Sequence, residues 1–205
     1  MLREPPAPRV GSSRRRGLEL CRLWDFSLQV FSTNARLGYT YALCGQVATA
    51  LPLLEQVAEQ TASTREDAFS LWLAWLSEAY LLAGRLADAR TWAGRALQQS
   101  RERKERGSQA HALRLLGDIA AHDDPPEVDD AETHYQQALA LAEELGMRPL
   151  QAHCHRGLGT LYSQTGQLEP ARAELSIAIE MYREMEMAFW LPETEATLRE
   201  VEGKA

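Results

Sequence analysis

One short pattern recurs four times along this chain and confines it to a stack of helical hairpins. In residues 158–182, LGTLYSQTGQLEPARAELSIAIEMY, Leu158, Gly159 and Tyr162 share one face of a helix. Gly166 marks a turn, and Ala171, Leu175 and Ala178 recur at the three- and four-residue steps of a second helix. Upstream, Leu37, Gly38 and Tyr41 precede Gly45, and Ala50, Leu54 and Val57 follow. A second copy has Leu76 and Tyr80, then Gly84, then Ala89, Ala93 and Ala96. A third has Leu116, Gly117 and Ala120, then Ala131, Tyr135 and Ala138. The equivalent positions Gly38, Ser77, Gly117 and Gly159 follow one another at a nearly constant step, a period of roughly 40 residues that marks a repeat architecture. Such fixed internal spacing predicts an all-α repeat array, because one hairpin cannot bury its apolar face without a neighbour.

The spacing also predicts where each hairpin lies. Helices are expected over 26–43 and about 47–61, with Pro52 in the first turn of the latter, where a missing N–H does least harm. Residues 188–203, carrying Phe189, Trp190 and Leu198, form a final helix that caps the stack. Residues 18–25, LELCRLWD, read as the end of a helix from an incomplete hairpin. Residues 1–17 hold Pro5, Pro6, Pro8 and five arginines against Glu4 alone, a composition that predicts a disordered basic tail ahead of a helical domain over 18–205.

Small residues explain the pattern. Glycine on the first helix lets the second approach, and the alanines opposite do the same from the other side. Trp72, Trp75 and Trp92 are read as packing residues. The acidic stretch HDDPPEVDD at 122–130 lacks the alternating acids, central Gly and distal Glu of a calcium loop, and is expected to cap the next helix.

The pattern resembles the tetratricopeptide repeat (TPR) family, in which large–Leu–Gly–Tyr on one helix meets small–aromatic–Ala on the next. Ser77 in place of Gly, Ala120 in place of Tyr and the lengthened period depart from it. The long period, with AEELGMRPLQAHCH and MYREMEMAFWLP, is similar to the TPR-like C-terminal regions of large bacterial signalling ATPases, transcription activators and nucleotide-cyclase proteins. The resemblance implies a right-handed α-solenoid of about four antiparallel pairs plus a capping helix. A repeat array over nearly the whole chain is expected to act as a non-enzymatic interaction or regulatory scaffold that takes a peptide or protein segment on its concave face, which in TPR-like arrays the first helices line.

By repeat position that face carries Tyr39, Glu78, His111, Arg114, Asp118, His153, Arg156, Thr160 and Gln164. His–x–x–Arg occurs at equivalent places in the third and fourth copies, which predicts a short basic stripe. Beyond it lies a more apolar end with Tyr39, Ala42, Ala74 and Leu81, so the face suits a peptide with an acidic end. Two other readings are a fragment that pairs with a second copy through an open N-terminal edge, and a small-molecule sensor walled by Tyr39, Trp72 or Trp75.

No phosphate loop, nucleophile elbow or HExxH motif occurs, so neither catalysis nor a cofactor is expected. His153, Cys154 and His155 are adjacent on a helix and point apart, so no metal site is expected there. The net charge is −7, and with +4 in residues 1–17 the rest carries −11, which argues against nucleic acid as a partner. No apolar run approaches the roughly 20 residues that span a bilayer. Three cysteines without metal spacing suit a cytoplasmic setting.

Overall fold

The computed structural model describes residues 27–63 and 70–203. Residues 1–17 and 18–25, read above as a tail and a helix end, lie outside the described residues. Nine helices occur among the described residues and no strand. The chain divides at Ala68 and Phe69 into two compact units.

The first unit contains one antiparallel pair, α1 (Ser27–Leu43) and α2 (Val47–Ser63). Ala50, Leu54 and Val57 of α2 are buried, as is Leu37 of α1. Pro52 corrects the expectation for this pair: it stands inside α2, in its second turn. It is exposed, so the carbonyl of Ala48 that it leaves without an N–H is on the hydrated side of the helix.

The second unit is a run of three pairs and a closing helix. These are α3 (Ser70–Leu82) with α4 (Leu86–Glu102), α5 (Arg106–Ala121) with α6 (Val128–Glu144), α7 (Arg148–Gln164) with α8 (Leu168–Glu184), and α9 (Leu191–Glu202). Each second helix also packs on the first helix that follows it. The final helix is shorter than its sequence suggested, because residues 188–190 form a turn. Two buried positions of α9, Thr194 and Val201, stand one repeat after Cys154 and Leu161, both buried in α7. The closing helix therefore keeps the repeat register.

Close approach decides the packing within each pair. A Cβ added at Gly159 would lie 2.6 Å from Leu175 Cγ and 3.0 Å from its backbone nitrogen. At Gly117 it would meet the Tyr135 ring at 2.9 Å, and at Gly38 it would meet Leu54 Cγ at 2.8 Å. Leu54, Tyr135 and Leu175 occupy one position of the repeat, and the fourth member of that series is Ala93. Where the first helix carries Ser77 instead of glycine, the second carries alanine, and the Ser77 hydroxyl donates to the Ala89 carbonyl at 2.8 Å. The departure from the glycine pattern is thus matched in volume and in hydrogen bonding.

The turns repeat as well. The N–H groups of Gln46, Arg85 and Gln167 donate to the carbonyls of Tyr41, Tyr80 and Tyr162 respectively, each at 2.9 Å. In the third pair the longer loop still closes on the equivalent carbonyl, Glu127 to Ala120 at 3.0 Å. The acidic loop does not cap α6 with a side chain, in contrast to the sequence expectation. Asp129 and Asp130 lie in the first turn of α6, where they favour the positive end of its dipole, while Asp123 and Glu127 hold Arg90 of α4.

Candidate functional site

Within the second unit the first helices touch one another, α3 to α5, α5 to α7 and α7 to α9, whereas α4, α6 and α8 make no such contacts among the described residues. The first helices therefore line the inner side of the array. That places Glu78 on α3, His111, Arg114 and Asp118 on α5, and His153, Arg156, Thr160 and Gln164 on α7. Tyr39 is half-buried on α1, in the other unit.

Three of these residues form one network. Arg114 is 5% exposed. Its guanidinium donates to Glu78 at 2.9 Å and to Asp118 at 2.5 Å. The Tyr135 hydroxyl of α6 donates to the other oxygen of Asp118 at 2.7 Å. Burial and the adjacent carboxylate hold the Tyr135 phenol well above its ordinary pKa, so it remains a donor. The Tyr135 ring is wedged between helices, since a Cβ at Gly157 of α7 would lie 2.5 Å from it. The network thus ties α3, α5 and α6 together and abuts α7.

The other arginine is held differently. Arg156 keeps 26% of its side chain exposed and donates to Glu193 of α9 at 3.2 Å, and Glu193 is 77% exposed. Thr160 donates its hydroxyl to the Arg156 carbonyl at 2.9 Å. Gln164 is exposed at the end of α7.

The two histidines are neutral at pH 7. Burial, reinforced by Arg114, lowers the pKa of His111 to about 4. Burial, then the charges of Arg114, Arg156 and His111, lowers that of His153 to about 2. His153 pairs through Nδ1 with the Tyr182 hydroxyl at 2.8 Å and meets the Trp190 ring edge-on, with centroids 4.7 Å apart. The stripe expected to be basic is consequently one of alternating charge. Its histidines are uncharged, and both arginines face carboxylates.

The His153–Cys154–His155 run diverges, as adjacent helix positions must. Cys154 is fully buried, its thiol pushed up to about 12 by that burial. His155 turns to Glu174 at 2.6 Å. Among the described residues no group of three His, Cys, Asp or Glu side chains is arranged to hold a metal ion. No described helix is long and apolar enough to cross a membrane.

Tyr135, Tyr182 and Trp190 pack behind the inner side and Glu193 of α9 faces Arg156; none of the four was among the site residues read from sequence, where Tyr135 and Trp190 stand only as repeat and capping-helix positions. Glu193 was within reach of the register, since it stands one repeat after His153. Tyr182 and Trp190 had no comparable signal, because their contact with His153 depends on how α9 turns back on α8.

Residues 127–184 match the tetratricopeptide repeat family. Those residues carry tetratricopeptide repeats. The regulatory protein AfsR of Streptomyces griseus is 32% identical over 145 residues, which is 70% of this chain and 14% of that protein. The chain thus spans about a seventh of this relative's length. Among solved structures, BtubC from P. vanneervenii superposes over 97% of this chain and 84% of its own, with a TM-score of 0.71 and 18% identity. The TPR-like repeats of a kinesin-light-chain protein from Podosopora anserina superpose over 84% and 95%, with a TM-score of 0.56 and 17% identity. At these identities the structures share the fold. TPR-like arrays generally mediate protein–protein interaction or regulation.

Proposed function

We propose that the inner wall of α3, α5, α7 and α9 binds a segment of a protein partner, and that the chain acts as a non-enzymatic regulatory or scaffolding module. The observation that carries this reading is the contrast between the two arginines. Arg114 is locked in a buried network, which stiffens the wall. Arg156 is partly exposed and makes a single long bond to a highly exposed carboxylate. An acidic group on an incoming peptide can take the place of Glu193 at little cost, since exposed pairs of this kind contribute only about 0–1 kcal/mol. Glu78, His111, His153, Thr160 and Gln164 stand on the same three helices, α3, α5 and α7. Tyr39 of α1 is a separate candidate contact in the other unit. The AfsR relative is a regulatory protein, which accords with this role.

Arg156 is the residue to test. Reversing Arg114 would bury a third carboxylate beside Glu78 and Asp118 and would report on folding instead. A displayed library of random dodecapeptides, selected on the wild-type chain, should enrich acidic sequences. The Arg156→Glu variant should lose that enrichment while keeping its thermal midpoint. Enrichment of the same sequences by both proteins would overturn the assignment.

A further inference from the structure

Phe189 is the most exposed large apolar side chain among the described residues, at 62%. It stands in the turn between α8 and α9. The repeat register places it. Thr194 and Val201 follow Cys154 and Leu161 by one repeat, so Phe189 follows Pro149 by one repeat and precedes Glu193 by four residues. Pro149 is exposed as well, in the first turn of α7 and four residues before His153. Both positions belong to the end of the inner wall at which α7 and α9 start.

A line of ring contacts leads from Phe189 to the exposed cation of that wall. Phe189 meets Trp190 edge-on with centroids 5.0 Å apart, and Trp190 meets His153 edge-on at 4.7 Å. His153 and Arg156 stand three residues apart on α7, a rise of about 5 Å on one helix face. Trp190 is held from behind, since it stacks on Tyr182 and packs on the cluster of Ala152, Ala178 and Tyr182. Phe189 therefore rests on a fixed support with most of its surface in water. An aromatic side chain presented in this way loses little conformational freedom when it is covered. At the other end of the line Arg156 makes its long bond to Glu193, whereas Glu78 and Asp118 hold Arg114 in the buried network.

We infer that the protein segment held at Arg156 is extended and carries a large apolar side chain, aromatic or leucine, three or four residues from its acidic residue, and that this side chain covers Phe189. The inference rests on the reading that Arg156 takes a carboxylate, and it adds a second contact and a spacing. The exposed ring and the guanidinium lie on the order of 10 Å apart along the wall, and an extended chain advances about 3.3 Å per residue, so three or four residues span them. Two anchors of different chemistry at a set separation select a partner more narrowly than one cation does. A purely acidic segment leaves Phe189 in water, and a purely apolar one gives Arg156 nothing in exchange for Glu193.

The dodecapeptide selection, made on the full chain, supplies the probe. Wild type should enrich sequences in which Asp or Glu stands three or four residues from Phe, Tyr, Trp or Leu. A Phe189→Ala variant should still enrich acidic sequences but without a fixed apolar residue, and Phe189→Tyr should restore the wild-type pattern. One enriched peptide, and the same peptide with its apolar residue replaced by alanine, are then titrated against both proteins. The replacement should weaken binding to wild type by about tenfold and binding to Phe189→Ala much less, the coupling expected of a direct aromatic contact. Helical circular dichroism should be unchanged in both variants, because the side chain removed is mostly exposed. Acidic sequences with no apolar residue at a constant distance overturn this inference and leave the Arg156 reading standing. So does an equal loss on both proteins. A selection that enriches no acidic sequences overturns both.

Discussion

Gly159→Ala and Gly94→Ala are the same chemical change on two helices, and the structure assigns them opposite signs. In a helix interior, alanine is favoured over glycine by about 1 kcal/mol. Gly94 lies in the middle of α4 on its exposed side, and a Cβ there would meet nothing within 4 Å. The propensity gain is therefore realised in full, and Gly94→Ala should stabilise the chain by about 1 kcal/mol. At Gly159 the same methyl would sit 2.6 Å from Leu175 Cγ and 3.0 Å from the Leu175 backbone nitrogen. The side chain can rotate away but the backbone cannot, so α8 must move outward. Overpacking of this kind costs about 1–3 kcal/mol. After the propensity gain is offset, Gly159→Ala should be destabilising by up to about 2 kcal/mol, and Gly159→Leu by more. The natural Ser77 and Ala93 pair shows the compensation, so Gly159→Ala combined with Leu175→Ala should show a favourable coupling of about 1 kcal/mol. Urea titration of the wild type and these variants, followed by circular dichroism in the helical band, measures each of these effects. Equal stabilisation by Gly94→Ala and Gly159→Ala would refute the reasoning, because it would mean that the close approach to the Leu175 backbone carries no cost.

The turns between successive pairs give a second prediction. Gly146 adopts φ +67°, and the equivalent positions hold Lys104 at φ +60° and Glu186 at φ +55°, in the region that disfavours a Cβ. Lys104→Gly and Glu186→Gly should each stabilise the chain by about 0.5–1 kcal/mol, and a lowered urea midpoint for both would contradict the strain assigned there. The half-buried histidines His111 and His153 give a third. Their folded pKa values lie below the ordinary value of 6.5, so their contribution is intact above pH 6.5 and is lost as pH falls towards about 4 for His111 and about 2 for His153. Between pH 7.5 and pH 5 each should cost about 1–2 kcal/mol of stability. A His111→Gln/His153→Gln variant that loses as much stability as wild type over that interval would show that other groups carry the effect.

The repeat register is a property of the sequence alone. Spacing of glycines, tyrosines and alanines determined that the chain forms helical hairpins, where the turns fall and which residues face the partner helix, because each follows from local geometry and from the helical period. The register even extends into α9, through Thr194 and Val201. The chemistry of the inner wall was legible only as a set of residue types. His111, Arg114, His153 and Arg156 read as a basic stripe because a sequence shows which charges lie on one helix and hides those that arrive from its neighbours. Tertiary structure brought Glu78 across from α3 to Arg114, and Glu193 back from α9 to Arg156. It also half-buried both imidazoles against neighbouring helices, and desolvation then removed the charge that the sequence had implied. Local interactions act within a turn of helix and repeat with the chain. The balance of charge on the wall depends on contacts between one repeat and the next, and only folding brings those side chains together.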